Sequence, residues 1–285
     1  MENQSAEGPG RAGADGYWAV VLCGGRGSRL GPVTNDRPKP LVEIHDKPIL
    51  WYVFLSLYRH GVRNFVFPLG YKGKMIEEYV RDISRGMGCN VICVDTGEDA
   101  EIADRVNAIL PHVPDHSDFL ILNSDTIFDF DLEEMYRLHR SQNALVTLSS
   151  VEVVSSWGLI LLKKNGELAG FDRERKVHQM ISKEAPSLEG VVNSGIAWLN
   201  KDAFGFVDLS VCRDFETHLY SKLIEMGRAA HYYLKGSWFP IDTPKDLNIM
   251  NLAVGDRHES GGVTKAVKER LTTVQRSNGH QEKAQ

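Results

Sequence analysis

No stretch of the chain is apolar for long enough to cross a membrane as a helix, and residues 1–16 hold no hydrophobic signal core. The four cysteines, Cys23, Cys89, Cys93 and Cys212, form no Cys-x-x-Cys pair and no cluster with histidine at metal spacing. Zinc is therefore disfavoured, and reduced thiols are the expectation. Together these features predict a cytoplasmic protein without a membrane partner. Positive charge is not in excess either. A formal net charge of −5 argues against nucleic acid as a bulk electrostatic partner, so any phosphate must be met by locally placed cations. Two phosphate-loop signatures are missing: no Gly-Lys-Ser/Thr follows the glycines, and the third glycine of the dinucleotide fingerprint is out of place. What remains is ordinary in bulk. With 285 residues, 42% hydrophobic and 25% charged, the chain can build one large α/β domain or two small ones.

The stretch from Tyr17 to Leu41 departs from that ordinariness. An apolar run, Tyr17 to Leu22, is long enough for a strand buried on both faces. It breaks into Gly24, Gly25 and Gly27 with Arg26 and Arg29 interleaved, and ends at Lys39 between Pro38 and Pro40. Glycines straight after a strand let the backbone bend and leave no Cβ between its N–H groups and a ligand. Such N–H groups beside fixed cations can seat phosphate oxygens. A tight turn is the other reading of the same glycines.

Downstream, periodicity predicts helices over 48–60, 72–85, 102–110 and 132–142, and strands over 64–69, 90–94, 119–122 and 144–151. This alternation predicts a mostly parallel, doubly wound sheet. From residue 157 the texture changes. A hairpin is expected over 158–163 and 168–171 around Asn165-Gly166, then a polar loop over 173–188. A strand over 191–199, a helix over 215–226, a strand over 230–234 and a helix from Pro244 follow. The expected organisation is a disordered lead 1–16, a folded unit 17–254 divided into halves 17–151 and 152–254, and a polar tail 255–285. The second half reads as α+β material appended to the first.

Two aspartates stand where chemistry could occur. Asp125 follows the end of a buried strand, and carboxyl ends of strands are where open α/β sheets bind ligands. A carboxylate beside phosphates suits Mg²⁺. Asp242 lies in Trp238-Phe239-Pro240-Ile241-Asp242-Thr243-Pro244. Either aspartate could instead cap a following helix. Asn193 is a polar exception in an apolar strand. Trp238 could stack on a ligand or fill the core.

The run Gly24-Gly25-Arg26-Gly27-Ser28-Arg29-Leu30, followed by Pro38-Lys39-Pro40, resembles the signature of the sugar-phosphate nucleotidylyltransferases. Asn123-Ser124-Asp125 and Trp238…Asp242-Thr243 match the metal motifs of that family in order, so the resemblance spans about residues 17–252. Ser28 stands where threonine is usual and Cys23 where alanine is usual. The resemblance implies a Rossmann-like fold with a nucleotide-binding half and a sugar-phosphate half. It implies attack by a sugar 1-phosphate oxygen on the α-phosphate of a nucleoside triphosphate, with pyrophosphate released. Arg29 and Lys39 would be the catalytic cations, and Asp125 and Asp242 would hold Mg²⁺. Leu22, Gly24, Gly25, Gly27, Ser28, Thr96, Gly97, Arg105 and Ser124 would surround the nucleotide. Asn193, Gly195 and Trp238 would meet the sugar. The Glu-Lys-Pro motif that usually supplies the sugar-phosphate cation is missing; Arg173, Arg175 or Lys176, in Phe171-Asp172-Arg173-Glu174-Arg175-Lys176, could replace it, and a charged surface turn is the other reading. Family habit leaves a homo-oligomer open.

For the base, Val94-Asp95-Thr96-Gly97 with Arg105 looks most like the glucose-1-phosphate cytidylyltransferase branch, which favours CTP. A glycine pair of that branch is Ala103-Asp104 here. Asn123 to Asp129 looks more like the heptose-1-phosphate guanylyltransferases, which would take GTP, and thymidylyl transfer from dTTP also stays open. Two rivals come from other classes. A non-catalytic regulatory subunit would have lost Arg29, Lys39, Asp125 or Asp242. A glycosyltransferase would use an Asp-x-Asp motif such as Asp129-Phe130-Asp131, which falls at the start of a predicted helix.

Overall fold

The apolar run at the head of the chain forms β1 (Tyr17–Leu22), at the centre of a seven-stranded sheet. The other strands are β2 (Val62–Leu69), β3 (Asn90–Asp95), β4 (Asp118–Asn123), β5 (Val146–Val151), β6 (Val192–Asn200) and β7 (Ala229–Tyr233). Their order is β7-β5-β6-β4-β1-β2-β3. The structure, a computed structural model, describes residues 16–154, 159–163, 167–172, 176–177, 180–181, 189–212 and 214–255.

β1 pairs parallel with β2 and β4, β2 with β3, and β7 with β5. Only β6 runs the other way, antiparallel to both β4 and β5. Helices α1 (Ile49–Arg59), α2 (Gly73–Ile83), α3 (Ile102–Ile109), α4 (Leu132–Ser141), α5 (Phe215–Glu225) and α6 (Pro244–Gly255) complete the fold. Alternation along β1 decides which face each side chain joins. Ala19 and Val21 enter one core with Leu57 of α1, Ile76 of α2 and Met135 of α4. Val20 enters the other with Val106 of α3 and Leu219 of α5. Each such fully buried apolar side chain contributes about 1.5–3 kcal/mol. A mostly parallel sheet with helices on both faces is the expected α/β architecture.

Two features differ from the sequence expectation. The polar segment over 173–188 is not wholly loop. Lys176–Val177 pairs with Val153–Val154, and Met180–Ile181 with Glu189–Gly190. Strands of two residues are too short to leave a periodic signal. Secondly, Thr126–Asp129 and Ser237–Pro240 form an antiparallel ribbon that the pattern did not reveal. The predicted hairpin is present as Leu159–Leu162 with Leu168–Asp172. The Asn165-Gly166 turn, Arg173, Arg175, residues 1–15 and residues 256–285 lie outside the described residues, as does the side chain of Lys176. Among the described residues, no helix is long and apolar enough to cross a membrane.

Candidate active site

The site is built on the carboxyl ends of β1 and β4. Ser124, just past β4, donates its hydroxyl to the Leu22 carbonyl at the end of β1 (2.8 Å), which locks the two strand ends together. Beyond Leu22 the chain turns through the glycine loop into a 3₁₀ segment, Ser28–Thr34, anchored by the buried Leu30. Gly27 sits in the left-handed region (φ +67°), and a Cβ there would lie 2.5 Å from the Lys39 Cβ. Both backbone and space therefore require glycine. Lys39 itself opens a short 3₁₀ turn, Lys39–Leu41, and is only 7% exposed.

The Lys39 ammonium reaches two carboxylates. Its Nζ donates to Asp125 Oδ2 at 2.5 Å and to Asp242 Oδ1 at 2.8 Å. Arg29 Nη1 lies 3.3 Å from Asp242 Oδ2. The ribbon sets this spacing. Thr126 pairs with Pro240, and the Ile241 N–H donates to the Asp125 carbonyl at 2.9 Å, so the two aspartates face each other. Neither aspartate caps a helix. Asp125 is followed by a strand, and the start of α6 is capped by Asp246, whose carboxylate accepts the Thr243 N–H (2.8 Å) and hydroxyl. Two convergent carboxylates offer the hard oxygen donors that Mg²⁺ takes from protein when phosphates supply the rest. The pair thus fits a metal that binds with a polyphosphate.

Arg105 is buried, and its guanidinium is held by the protein's own acceptors. Its guanidinium donates to the carbonyls of Leu69 (3.1 Å), Gly24 (3.2 Å) and Glu98 (3.3 Å), and to the Thr96 hydroxyl. A Cβ on Gly24 would lie 2.0 Å from the Arg105 Cζ, and one on Gly70 would lie 2.6 Å from Nη1. Those glycines make room for the arginine. Thr96 donates to the Leu69 carbonyl at 2.6 Å, and Gly97 (φ +84°) closes a turn with its N–H on Asp95. The three groups join the glycine loop, the end of β2 and the loop after β3. Arg26 adds an exposed tie to Glu98 (2.7 Å). Glu101 and Asp104 form a reciprocal capping box at the start of α3, and Ala103 packs in the core. The altered pair of this loop therefore serves the helix.

On the other side of the strand ends, β6 carries a bulge between Asn193 and Ala197. Gly195 there has φ +76°. Asn193 Oδ1 accepts the Gly195 N–H (3.1 Å), and the Trp238 indole N–H donates to the Ser194 carbonyl (2.8 Å). A cavity of about 360 Å³ opens between this bulge and the carboxylates.

Residues 18–256 match the nucleotidyl transferase family. The chain belongs to that family. Among its relatives is the glucose-1-phosphate cytidylyltransferase of Salmonella typhimurium, 28% identical over 249 residues, covering 80% of this chain and 92% of the relative. A protein of Bacillus subtilis named "Probable glucose-1-phosphate cytidylyltransferase" is 29% identical over 252 residues, covering 82% and 94%. The catalytic subunit beta of mannose-1-phosphate guanylyltransferase of Xenopus tropicalis is 27% identical over 233 residues, covering 80% of this chain and 62% of that longer protein. The fold is shared with the solved HddC of Yersinia pseudotuberculosis (TM-score 0.58, 22% identity, 82% and 98% covered) and with a Bacillus anthracis chain (TM-score 0.63, 17% identity, 86% and 98% covered).

In this nucleotidyl transferase the cavity gathers Leu22, Arg29, Asp125, Asn193, Gly195, Trp238 and Asp242, residues far apart in sequence. Lys39 and Ser124 join them through direct bonds. Gly25 and Ser28 are exposed beside them, with open space over Gly25. Thr96, Gly97 and Arg105 stand apart as the frame of the neighbouring loop. Asp131 of the Asp-x-Asp run caps α4 by accepting the Glu134 N–H (2.9 Å). Sequence reasoning missed Glu216 and Tyr220 of α5 and Ile102 of α3, which also line the cavity. Partial burial raises the Glu216 carboxyl and pushes up the Tyr220 hydroxyl, which donates to Glu216 (3.3 Å). The pattern marked α5 only as a helix, and no local motif tells which of its turns faces the cleft.

Proposed function

We propose that the chain is a Mg²⁺-dependent sugar-1-phosphate nucleotidylyltransferase that uses CTP. The observation that carries the reaction class is the meeting of Arg29, Lys39, Asp125 and Asp242 at one cavity. A sugar 1-phosphate oxygen forms a bond to the α-phosphorus as the bond to the β-phosphate bridge breaks, and pyrophosphate leaves. The nucleophile is already an anion, so no side chain needs to take a proton. The protein's task is positioning two anions and offsetting charge. Arg29, on the open side of the cavity, suits the triphosphate, and Lys39 suits the α-phosphate. Asp125 and Asp242 would hold Mg²⁺, which when bound neutralises phosphate charge. Asn193, Gly195 and Trp238 form the wall against which the sugar would lie. A regulatory subunit without activity would have no need to keep both cations and both carboxylates.

CTP is favoured by the cytidylyltransferase relatives, which match along nearly their whole length. The Thr96 loop, fixed against the glycine loop by Arg105, is a rigid wall suited to reading a base edge. Cytosine shows a 4-amino donor where uracil and thymine show an acceptor. GTP is the second reading, favoured by the guanylyltransferase relative of similar identity. The test is pyrophosphate release from CTP, UTP, dTTP, GTP and ATP, each with glucose, mannose and heptose 1-phosphates. CTP is expected to exceed UTP in kcat/KM by about tenfold or more. A higher value for GTP or dTTP would replace CTP and leave the reaction class intact; no pyrophosphate from any pair would remove the class.

A further inference from the structure

We propose that Lys39 is an internal counter-ion that keeps free divalent metal out of the site, so that the metal enters as its nucleotide complex. The inference rests on the reading of Asp125 and Asp242 as the metal pair. The ammonium contacts one oxygen of each carboxylate, at 2.5 and 2.8 Å, and is shielded from solvent. It cannot drift away freely. Pro38 and Pro40 flank it, and its stem packs under Gly27, where even a methyl group would clash. Arg29 reaches the remaining Asp242 oxygen, so two cations already balance two carboxylates.

A free divalent ion would have to compete for those oxygens beside a fixed positive charge, which weakens its binding. A triphosphate changes the balance. Its anionic oxygens give Lys39 and Arg29 new partners, and the carboxylate oxygens they release become available as ligands. Metal and nucleotide then favour each other's binding, reciprocally, because each removes the obstacle to the other. No covalent bond is made or broken in this exchange.

The test uses Mn²⁺ alone as the probe, titrated into the full-length nucleotide-free protein and followed by the electron-spin signal of the free ion. Lys39→Met, which keeps the unbranched stem to within one atom of its length and removes the charge, is expected to bind Mn²⁺ about tenfold tighter than the parent or better. Lys39→Arg, which keeps the charge, is expected to match the parent. Lys39→Gln serves as a second neutral variant should the methionine form fail to fold, with thermal unfolding as the check. The double variant Lys39→Met with Asp125→Asn is expected to lose the gain. Neutral variants that bind Mn²⁺ no tighter than the parent, while Asp125→Asn alone weakens the parent, would overturn the counter-ion role and spare the metal pair. Tight Mn²⁺ binding that persists in the double variant would overturn both.

Discussion

Gly24 and Gly25 are neighbours with opposite reasons to be glycine. Gly24 leaves room for the Arg105 guanidinium, whereas the space over Gly25 is open. Gly24→Ala should therefore push the guanidinium off its carbonyls and destabilise the fold by about 1–3 kcal/mol. Gly25→Ala should change stability by about 0.5 kcal/mol or less, yet raise the KM for nucleotide if phosphate passes over that backbone. Denaturant unfolding and initial rates on both variants decide this; equal loss of stability in the two would refute the distinction. The aspartates make a second pair of tests. Asp125→Asn and Asp242→Asn keep the shape and lose the charge, so each should raise the Mg²⁺ concentration needed for half-maximal activity. A magnesium titration that overlays the parent's would remove that residue from the metal site. Pro38-Lys39-Pro40 marks Lys39 as a candidate phosphate cation, but carries no sign of a structural group. A cation between prolines reads as flexible and free of the core; the structure buries it between two carboxylates. Its partners lie 86 and 203 residues away, beyond any local pattern.

At the scale of elements, the long periodic segments were readable and the short ones were not. β1 is an unbroken apolar run, and α1, α2 and α3 carry helical spacing within their own residues, so local pattern marks their type. The ribbon of Thr126–Asp129 with Ser237–Pro240 carries no such signal, because its pairing joins segments about a hundred residues apart. Yet it is the element that brings Asp125 to Asp242. The loop before α3 shows a related limit. A carboxylate such as Glu101, in a loop beyond a strand end, has the chemistry to accept from the cytosine amino group. In the structure its carboxylate caps α3 within a reciprocal pair with Asp104. Glu101→Ala should accordingly cost about 1 kcal/mol of stability while leaving the ratio of kcat/KM between CTP and UTP unchanged. A collapse of that ratio with little loss of stability would return Glu101 to the base.

At the scale of the molecule, the two halves of the chain are interleaved in one sheet. β6, from the second half, lies between β4 and β5 of the first, and it is the one antiparallel strand. The sequence showed β6 as an apolar strand, but not its place. Insertion between two earlier strands depends on tertiary packing, which strand periodicity does not encode. Asp118, at the start of β4, ties the halves together at the end of the sheet opposite the cavity. Its buried carboxylate accepts from Asn200 of β6 (2.7 Å), Arg140 (3.0 Å) and Tyr136 (3.1 Å), with His139 at 3.3 Å. Burial alone would raise this carboxyl, but the hydrogen bonds from His139, Asn200 and Arg140 outweigh it and hold it at about 2, below the ordinary 3.8. The depressed value means that the unfolded chain takes up the proton first. The contribution is fully present above about pH 4 and is lost as the pH falls toward 2. A difference of that size corresponds to about 2 kcal/mol. Asp118→Asn should lower stability at neutral pH and flatten the fall in stability between about pH 4 and pH 2, measured by denaturant unfolding across that range. A variant curve that falls in parallel with the parent's would show that other carboxylates, and not this tie between the halves, set the acid limit of the fold.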